Sequence, residues 1–311
     1  MVKVHAIRTG LVQVREAQRQ RHRNGLAAVT DMLFDLNWTE WLPVYAWAIE
    51  HVEGIIVVDT GETARVHERG YHPPRHPFYR RAVHFSVHPD EEIGPQLRTI
   101  GISPRDVRQV ILTHLHTDHA GGLAHLTGSR FWVSEGEWKS ANCFAGRLQG
   151  YLPHRWPKWW QPEFIRFEDG PVGPFRQSMA ITRRGDVRIV PTPGHTPNHV
   201  SVFLDGEPAV FLAGDTSYSQ SLLLSGKIDG VSLNPAVAHE TGSRILALAK
   251  ERPLIYLPSH DADAERRLHN LSILANVETS HSKTVELIPA AERGSHQLLG
   301  AATATRITAC L

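Results

Sequence analysis

Cysteine is nearly absent from this chain. Two cysteines in 311 residues, at positions 143 and 310, are too few and too far apart for a disulfide framework or a cysteine-rich zinc site. An excess of either charge is also lacking: 33 Lys and Arg stand against 32 Asp and Glu, leaving a formal net charge of +1. That balance argues against a nucleic-acid surface, which needs a concentrated basic face. The one basic stretch, "REAQRQRHR" at 15–23, reads as a solvated loop or arm. No apolar run approaches the roughly 20 residues that cross a bilayer. The start, "MVKVHAIRTGLVQVREAQ", alternates apolar and polar residues like a strand and lacks the apolar core and cleavage site of a signal peptide. The expectation is a cytoplasmic protein with neither a membrane nor a nucleic-acid partner.

What is present is ordinary for a globular chain, with 41% hydrophobic and 21% charged residues. Histidine is the exception, with 20 of them, so spacing has to decide which matter. Short apolar or alternating runs bounded by Gly, Pro, Asp or Asn predict strands at Val2–Ile7, Val44–Ile49, Gly54–Val58, Val110–Thr113, Arg130–Val133, Val187–Val190, His199–Leu204, Ala209–Ala213 and Leu254–Leu257. Helical periodicity marks Glu91–Ile100 and Pro235–Lys250, the second stopped by Pro253, and Gly121–Leu126 reads as a short helix. Strands interspersed with helices, without regular alternation, predict an α/β (α+β) architecture of mixed sheets covered by helices. Residues 1–270 read as one domain and 271–311, without an aromatic residue, as a peripheral extension. Residues 138–162 hold four of the eight tryptophans and read as the lining of an apolar pocket, a satellite core or a dimer contact.

The chemistry concentrates in a few segments. In "ILTHLHTDHAGG" (111–122), His114 and His116 project the same way from extended backbone. A turn then brings Asp118 and His119 toward a second point. Imidazole nitrogen and carboxylate oxygen suit zinc and neighbouring first-row metals. Three more strand ends add donors: "VPTPGHTPNH" offers His195, "VFLAGDTSY" offers Asp215 and "LIYLPSHD" offers His260. His199 reads as a supporting residue rather than a ligand. Asp59 is either a carboxylate that orients a ligand imidazole or a turn-forming residue.

His-x-His-x-Asp-His, a Pro-Gly-His turn, a Gly-Asp and a late strand-end His together resemble the ligand series of the metallo-β-lactamase superfamily. "IIVVDTGE" at 55–62 is similar to that family's early strand and loop. The resemblance implies an αβ/βα sandwich of two mixed sheets with a dinuclear site at one edge. It places His114, His116 and His195 on a first metal and Asp118, His119 and His260 on a second, with Asp215 bridging. The implied cofactors are two divalent ions, zinc foremost, with cobalt, manganese and iron left open. A metal-bound water ionises near a pKa of roughly 7, so a bridging hydroxide is available at neutral pH.

Tyr218, three residues after Asp215, resembles the tyrosine of the quorum-quenching N-acyl homoserine lactonases, as do "LPVYAWAIEHVEGIIVVDTG", "FYRRAVHFSVHPDEE" and "LPSHD". That likeness implies opening of a lactone ring by hydroxide attack, with Tyr218 donating to the oxyanion and Asp118 moving a proton to the leaving oxygen. It further implies a lactone partner whose acyl chain lies against Trp38, Trp41, Phe78, Phe85 and the aromatics of 144–160, and a homodimer. A glyoxalase-II-like thioesterase and a phosphotriesterase are the alternatives, because the same metal site serves both chemistries.

Overall fold

The computed structural model describes residues 2–232 and 234–274. The 275–311 part of the expected extension lies outside the described residues. Seven strands form the first sheet: β1 (Lys3–Val14), β2 (Leu42–His51), β3 (Gly54–Val58), β4 (Val83–Ser86), β5 (Val107–Ile111), β6 (Arg130–Val133) and β7 (Glu163–Phe164). Five form the second: β8 (Met179–Ala180), β9 (Val187–Pro191), β10 (Val200–Leu204), β11 (Ala209–Gly214) and β12 (Leu254–Pro258). Their spatial orders are β4-β1-β2-β3-β5-β6-β7 and β12-β11-β10-β9-β8, with parallel and antiparallel pairs in both. Each half of the chain therefore supplies one sheet.

Side-chain alternation along the strands builds the layers. In β2, Tyr45, Trp47 and Ile49 point into the core between the sheets, where they meet Ile189, Val202 and Leu257. The intervening Ala46 and Ala48 face the other way, toward Ile93 and Leu97 of the helix Ile93–Thr99. The second sheet does the same. Val190, Phe211 and Tyr256 turn outward onto Ile245 and Leu248 of the helix Pro235–Glu251. The result is helix, sheet, sheet, helix, the sandwich that the sequence implies.

Local sequence accounts for most boundaries. The helix Pro235–Glu251 begins with Pro235 in its first turn and Asn234 accepting the Val237 N–H, and it ends just before Pro253. Two regions differ from expectation. Residues 83–86, which are not among the expected strands, pair with β1, Val12 opposite Phe85. The stretch Gly121–Leu126 forms only a single tight turn at Leu123–His125. Glycines there serve close approach instead: a Cβ on Gly122 would lie 2.3 Å from the Thr60 carbonyl oxygen.

The Trp-rich segment is mostly core. Trp138 stacks on Trp156, Trp160 packs edge-on against both, and the cluster closes on Phe131. Trp159 and Phe144 remain exposed. Of the expected acyl-groove aromatics, Trp38 stacks on His84 beneath the Arg15 guanidinium and Trp41 faces outward.

Candidate metal centre

Four strands deliver their C-terminal ends to one rim of the sandwich. After β5 the chain runs irregularly, with bends at Thr113 and His116, and then makes one helical turn, Thr117–Ala120, with the His119 and Ala120 N–H groups donating to the His116 carbonyl. His195 follows β9, Asp215 directly follows β11, and His260 lies two residues beyond β12. Backbone hydrogen bonds tie the ends together: the Val200 N–H reaches the Thr113 carbonyl at 2.9 Å, and the Ser259 N–H reaches Gly214 at 3.1 Å.

All seven expected donors converge. The structure brings together His114, His116 and His195 as one group, Asp118, His119 and His260 as another, and His114, His119 and Asp215 as a third that overlaps both, each with donor atoms within 4.8 Å of one another. His116 Nδ1 sits 3.0 Å from His114 Nε2 and 3.1 Å from His195 Nε2. Ligands on a tetrahedral zinc with Zn–N of about 2.0 Å lie about 3.3 Å apart. Asp215 reaches across the groups. Its Oδ1 is 3.3 Å from His119 Nε2, while its Oδ2 is 3.3 Å from His260 Nε2 and 3.5 Å from His195 Nε2. Asp118 lies 3.5 Å from His260 Nε2.

Hydrogen bonds behind the cluster decide which nitrogen each ring presents. A carboxylate or carbonyl oxygen only accepts, so a ring nitrogen bonded to one carries the proton and leaves the other bare. His119 Nδ1 donates to Asp59 at 2.9 Å, His195 Nδ1 to Asp229 at 3.1 Å and His260 Nδ1 to the Pro43 carbonyl at 2.9 Å. The Thr113 hydroxyl gives its proton to Asp59 at 2.9 Å and so accepts from His114 Nδ1 at 3.1 Å. When these rings are neutral, as metal binding requires, four bare Nε2 atoms therefore face the centre. Asp59 holds φ at +60°, unusual for a residue with a side chain, and its carboxylate also accepts the Thr113 N–H at 2.8 Å. It orients His119 and does more than form a turn. His199 accepts the Asp215 N–H at 3.0 Å through Nε2 and so supports Asp215 from behind.

The electrostatics match a cation site. Burial, followed by the neighbouring His119 and His116, drives the His114 pKa well below the usual range, and burial with His195 takes His116 down to about 3. Burial alone would raise Asp215, yet His260, His119 and His195 hold it well below the usual carboxylate range. His119 shows the converse: burial opposes its charge, and Asp215, Asp59 and Asp118 outweigh that and hold it well above. Two buried polar atoms, His119 Nε2 and Asp215 Oδ1, have no hydrogen-bond partner among the described residues. Unpaired buried donors and acceptors are costly, and a divalent ion between them satisfies both. The residues present fit such an ion.

A cleft opens onto this rim. Its polar wall contains His116, Asp118, Asp215, His260 and Tyr218, and its apolar wall contains Val12, Val14, Met32, Phe78, Val83 and Phe85. Phe78 and Phe85 thus lie where the sequence expects an acyl groove, whereas Trp38 and Trp41 do not; the 144–160 segment contributes Gln149 and Gly150 but no aromatic ring. Tyr151 instead lies behind the site, its ring 5.0 Å from that of His116 and its hydroxyl donating to buried Glu137 at 2.7 Å. Glu137 also accepts from Thr196, next to His195, and from the Leu115 N–H. The stretch 15–23 departs from the expected solvated arm. It contains a short helix, Glu16–Arg19, with Ala17 and Gln18 buried, and Gln18 lines the cleft.

Comparison with known proteins identifies relatives of this chain and solved structures of similar fold. The chain is 28% identical over 236 residues to an N-acyl homoserine lactonase of Bacillus thuringiensis, covering 72% of this chain and 84% of that one. It is 27% identical over 238 residues to a probable metallo-hydrolase of Mycobacterium tuberculosis, covering 69% and 73%. Among solved structures, an N-acyl homoserine lactone hydrolase with N-hexanoyl-L-homoserine at its catalytic metal centre superposes with a TM-score of 0.67 at 22% identity, over 85% of this chain and 95% of that one. A dizinc quorum-quenching lactonase bound to its product gives 0.59 at 15%, over 84% and 88%. Residues 39–260 match the family model itself. The chain belongs to the metallo-beta-lactamase superfamily.

Proposed function

We propose that this protein opens the lactone ring of N-acyl homoserine lactones at a centre of two divalent ions. The observation that carries this reading is the juxtaposition of Tyr218 and a wall of apolar side chains with the histidine–aspartate rim in one cleft. A lactone with an acyl chain needs both features: a hydrogen-bond donor at the carbonyl and an apolar surface for the chain.

In this reading His114, His116 and His195 hold one ion and Asp118, His119 and His260 the other, with Asp215 shared. Bound there, the ions supply Lewis acidity and a hydroxide available near neutral pH, for which zinc, cobalt, manganese and iron are all suited. The Tyr218 phenol donates to the lactone carbonyl oxygen as negative charge develops on it. Burial, then Asp215 and Asp229, hold its pKa well above the usual tyrosine value, so it stays protonated for that role. Asp118, partly buried in the cleft wall, would take the proton left on the attacking water oxygen and pass it to the ring oxygen as the C–O bond breaks. Phe78, Phe85, Val12 and Val83 shield the acyl chain from water. A homodimer, implied by the family resemblance, is part of the same proposal.

The test measures proton release when metal-loaded protein meets N-hexanoyl homoserine lactone, alongside thioester loss from S-lactoylglutathione and hydrolysis of a phosphotriester. Fast lactone opening with negligible turnover of the other two supports the reading. Faster thioester or phosphotriester turnover replaces it while leaving the metal assignment standing.

A further inference from the structure

We propose that Gln18 is a positioning residue that aims the Tyr218 hydroxyl proton at the substrate. Gln18 Nε2 lies 3.0 Å from the Tyr218 oxygen, across 200 residues of sequence, and both side chains are buried in the wall of the cleft. An amide nitrogen only donates. It therefore occupies a lone pair on the phenol oxygen and leaves the phenol proton uncommitted. No acceptor among the described residues takes that proton. On its other side the Tyr218 ring stacks with His260, centroids 5.5 Å apart, so the ring is held as well as the hydroxyl.

The segment carrying Gln18 is itself locked. The Gly230 N–H donates to the Gln18 carbonyl at 2.8 Å and the Arg21 N–H to the Ile228 carbonyl at 2.7 Å. The Ala17 N–H donates to Asp35 at 2.9 Å. Between the first two clamps, on the same loop, sits Asp229, the carboxylate that orients His195. One backbone clasp thus places a group behind Tyr218 and a group behind a metal-facing histidine. A donor fixed before the substrate arrives needs no reorganisation as charge develops, which is the condition for strong oxyanion stabilisation.

This inference rests on the lactonase reading for its kinetic arm only. The experiment compares wild type, Gln18→Glu, Gln18→Met, Tyr218→Phe and the Gln18→Glu/Tyr218→Phe double variant on N-hexanoyl homoserine lactone. It also records the Tyr218 resonance in metal-free protein labelled with 13C at tyrosine Cζ. A carboxylate at position 18 accepts the phenol proton instead of donating. Gln18→Glu is then expected to lower kcat roughly tenfold or more with KM little changed, and to cost nothing further in the Tyr218→Phe background. Gln18→Met, of similar shape, should show a smaller loss of the same kind, and both single variants should move the Tyr218 resonance. A Gln18→Glu loss that multiplies fully with Tyr218→Phe, or a resonance unmoved by either substitution, overturns the proposal. A wild type inert toward the lactone defeats the lactonase reading, and the resonance still decides whether Gln18 controls Tyr218.

Discussion

His195 Nδ1 lies 3.1 Å from a carboxylate oxygen of Asp229, and both groups are buried. The pair orients the ring and leaves Nε2 bare toward Asp215. The other Asp229 oxygen accepts the Ser232 N–H and hydroxyl, so the carboxylate has little freedom to follow a moving ring. Asp229→Asn keeps the shape and removes the charge. The expected result is a metal affinity weakened by about 10–100-fold, read by competition with a chromophoric chelator. An affinity equal to wild type would reduce Asp229 to a loop-forming role.

Asp215 has carboxylate oxygens within 3.5 Å of ligands from both groups, His195 on one side and His119 and His260 on the other. Asp215→Asn should lower the metal content of purified protein and leave hydrolysis near background. Elemental analysis beside an activity assay checks both at once. Two tightly held ions with full activity in that variant would remove the bridging assignment.

Removing metal should destabilise the fold, because the ions bind the native cluster and not the unfolded chain. At a free metal concentration of 100 Kd the linkage is worth about 2.7 kcal/mol per ion, which for a chain of 311 residues corresponds to a Tm lower by about 4 °C per ion on chelation. Calorimetry before and after chelation, and again after adding each of zinc, cobalt and manganese, measures it. An unchanged Tm would mean the rim is rigid without ions.

His72 offers a pH test away from the metal rim. Its ring stacks on Tyr79, with centroids 4.1 Å apart, and burial first, then Arg155 and His76, takes its pKa down to about 4. The fold therefore favours the neutral ring. The stabilisation is fully present above the unfolded value of about 6.5 and is lost as pH falls from there toward about 4. His72→Phe keeps the stacking and removes the titration. Denaturant unfolding of metal-free protein should show the variant gaining on wild type between pH 8 and pH 5. A difference constant across that range would contradict the shift.

The proposed lactone places its acyl chain on the apolar wall, which can be tested by chain length. Each buried methylene contributes about 0.8 kcal/mol, so Phe85→Ala should raise KM severalfold for long acyl chains and little for short ones. A uniform change across chain lengths would place the acyl group elsewhere.

The seven donors are legible in the sequence because each lies at the end of an apolar strand or in a turn with its own punctuation, and donor chemistry is a property of residue type. The strand pattern is legible for the same reason: β2 and β12 are apolar because both of their faces are buried. Gln18 was hidden. It sits in a basic stretch whose composition resembles a solvated arm, and only its contact with Tyr218 gives it meaning. Glu137 and Asp229 carry no local signal either, since what they serve, Tyr151 and Thr196 or His195, comes from other elements. For the Trp-rich segment the sequence left a pocket lining, a satellite core and a dimer contact open, and packing decides for a core: Trp138, Trp156 and Trp160 fill one and do not line the cleft.

By itself the sequence determined which residues could hold metal and on which strands they stand, since period-two burial and turn chemistry act over a few neighbours. Tertiary structure decided which nitrogen His119, His195 and His260 present and which group donates to the Tyr218 hydroxyl. The acceptors at Asp59, Asp229 and Pro43 and the donor at Gln18 reach the site only when distant segments pack. A tautomer or a hydroxyl rotor is set by its hydrogen-bond partner, and here the chain brings most of those partners from far away.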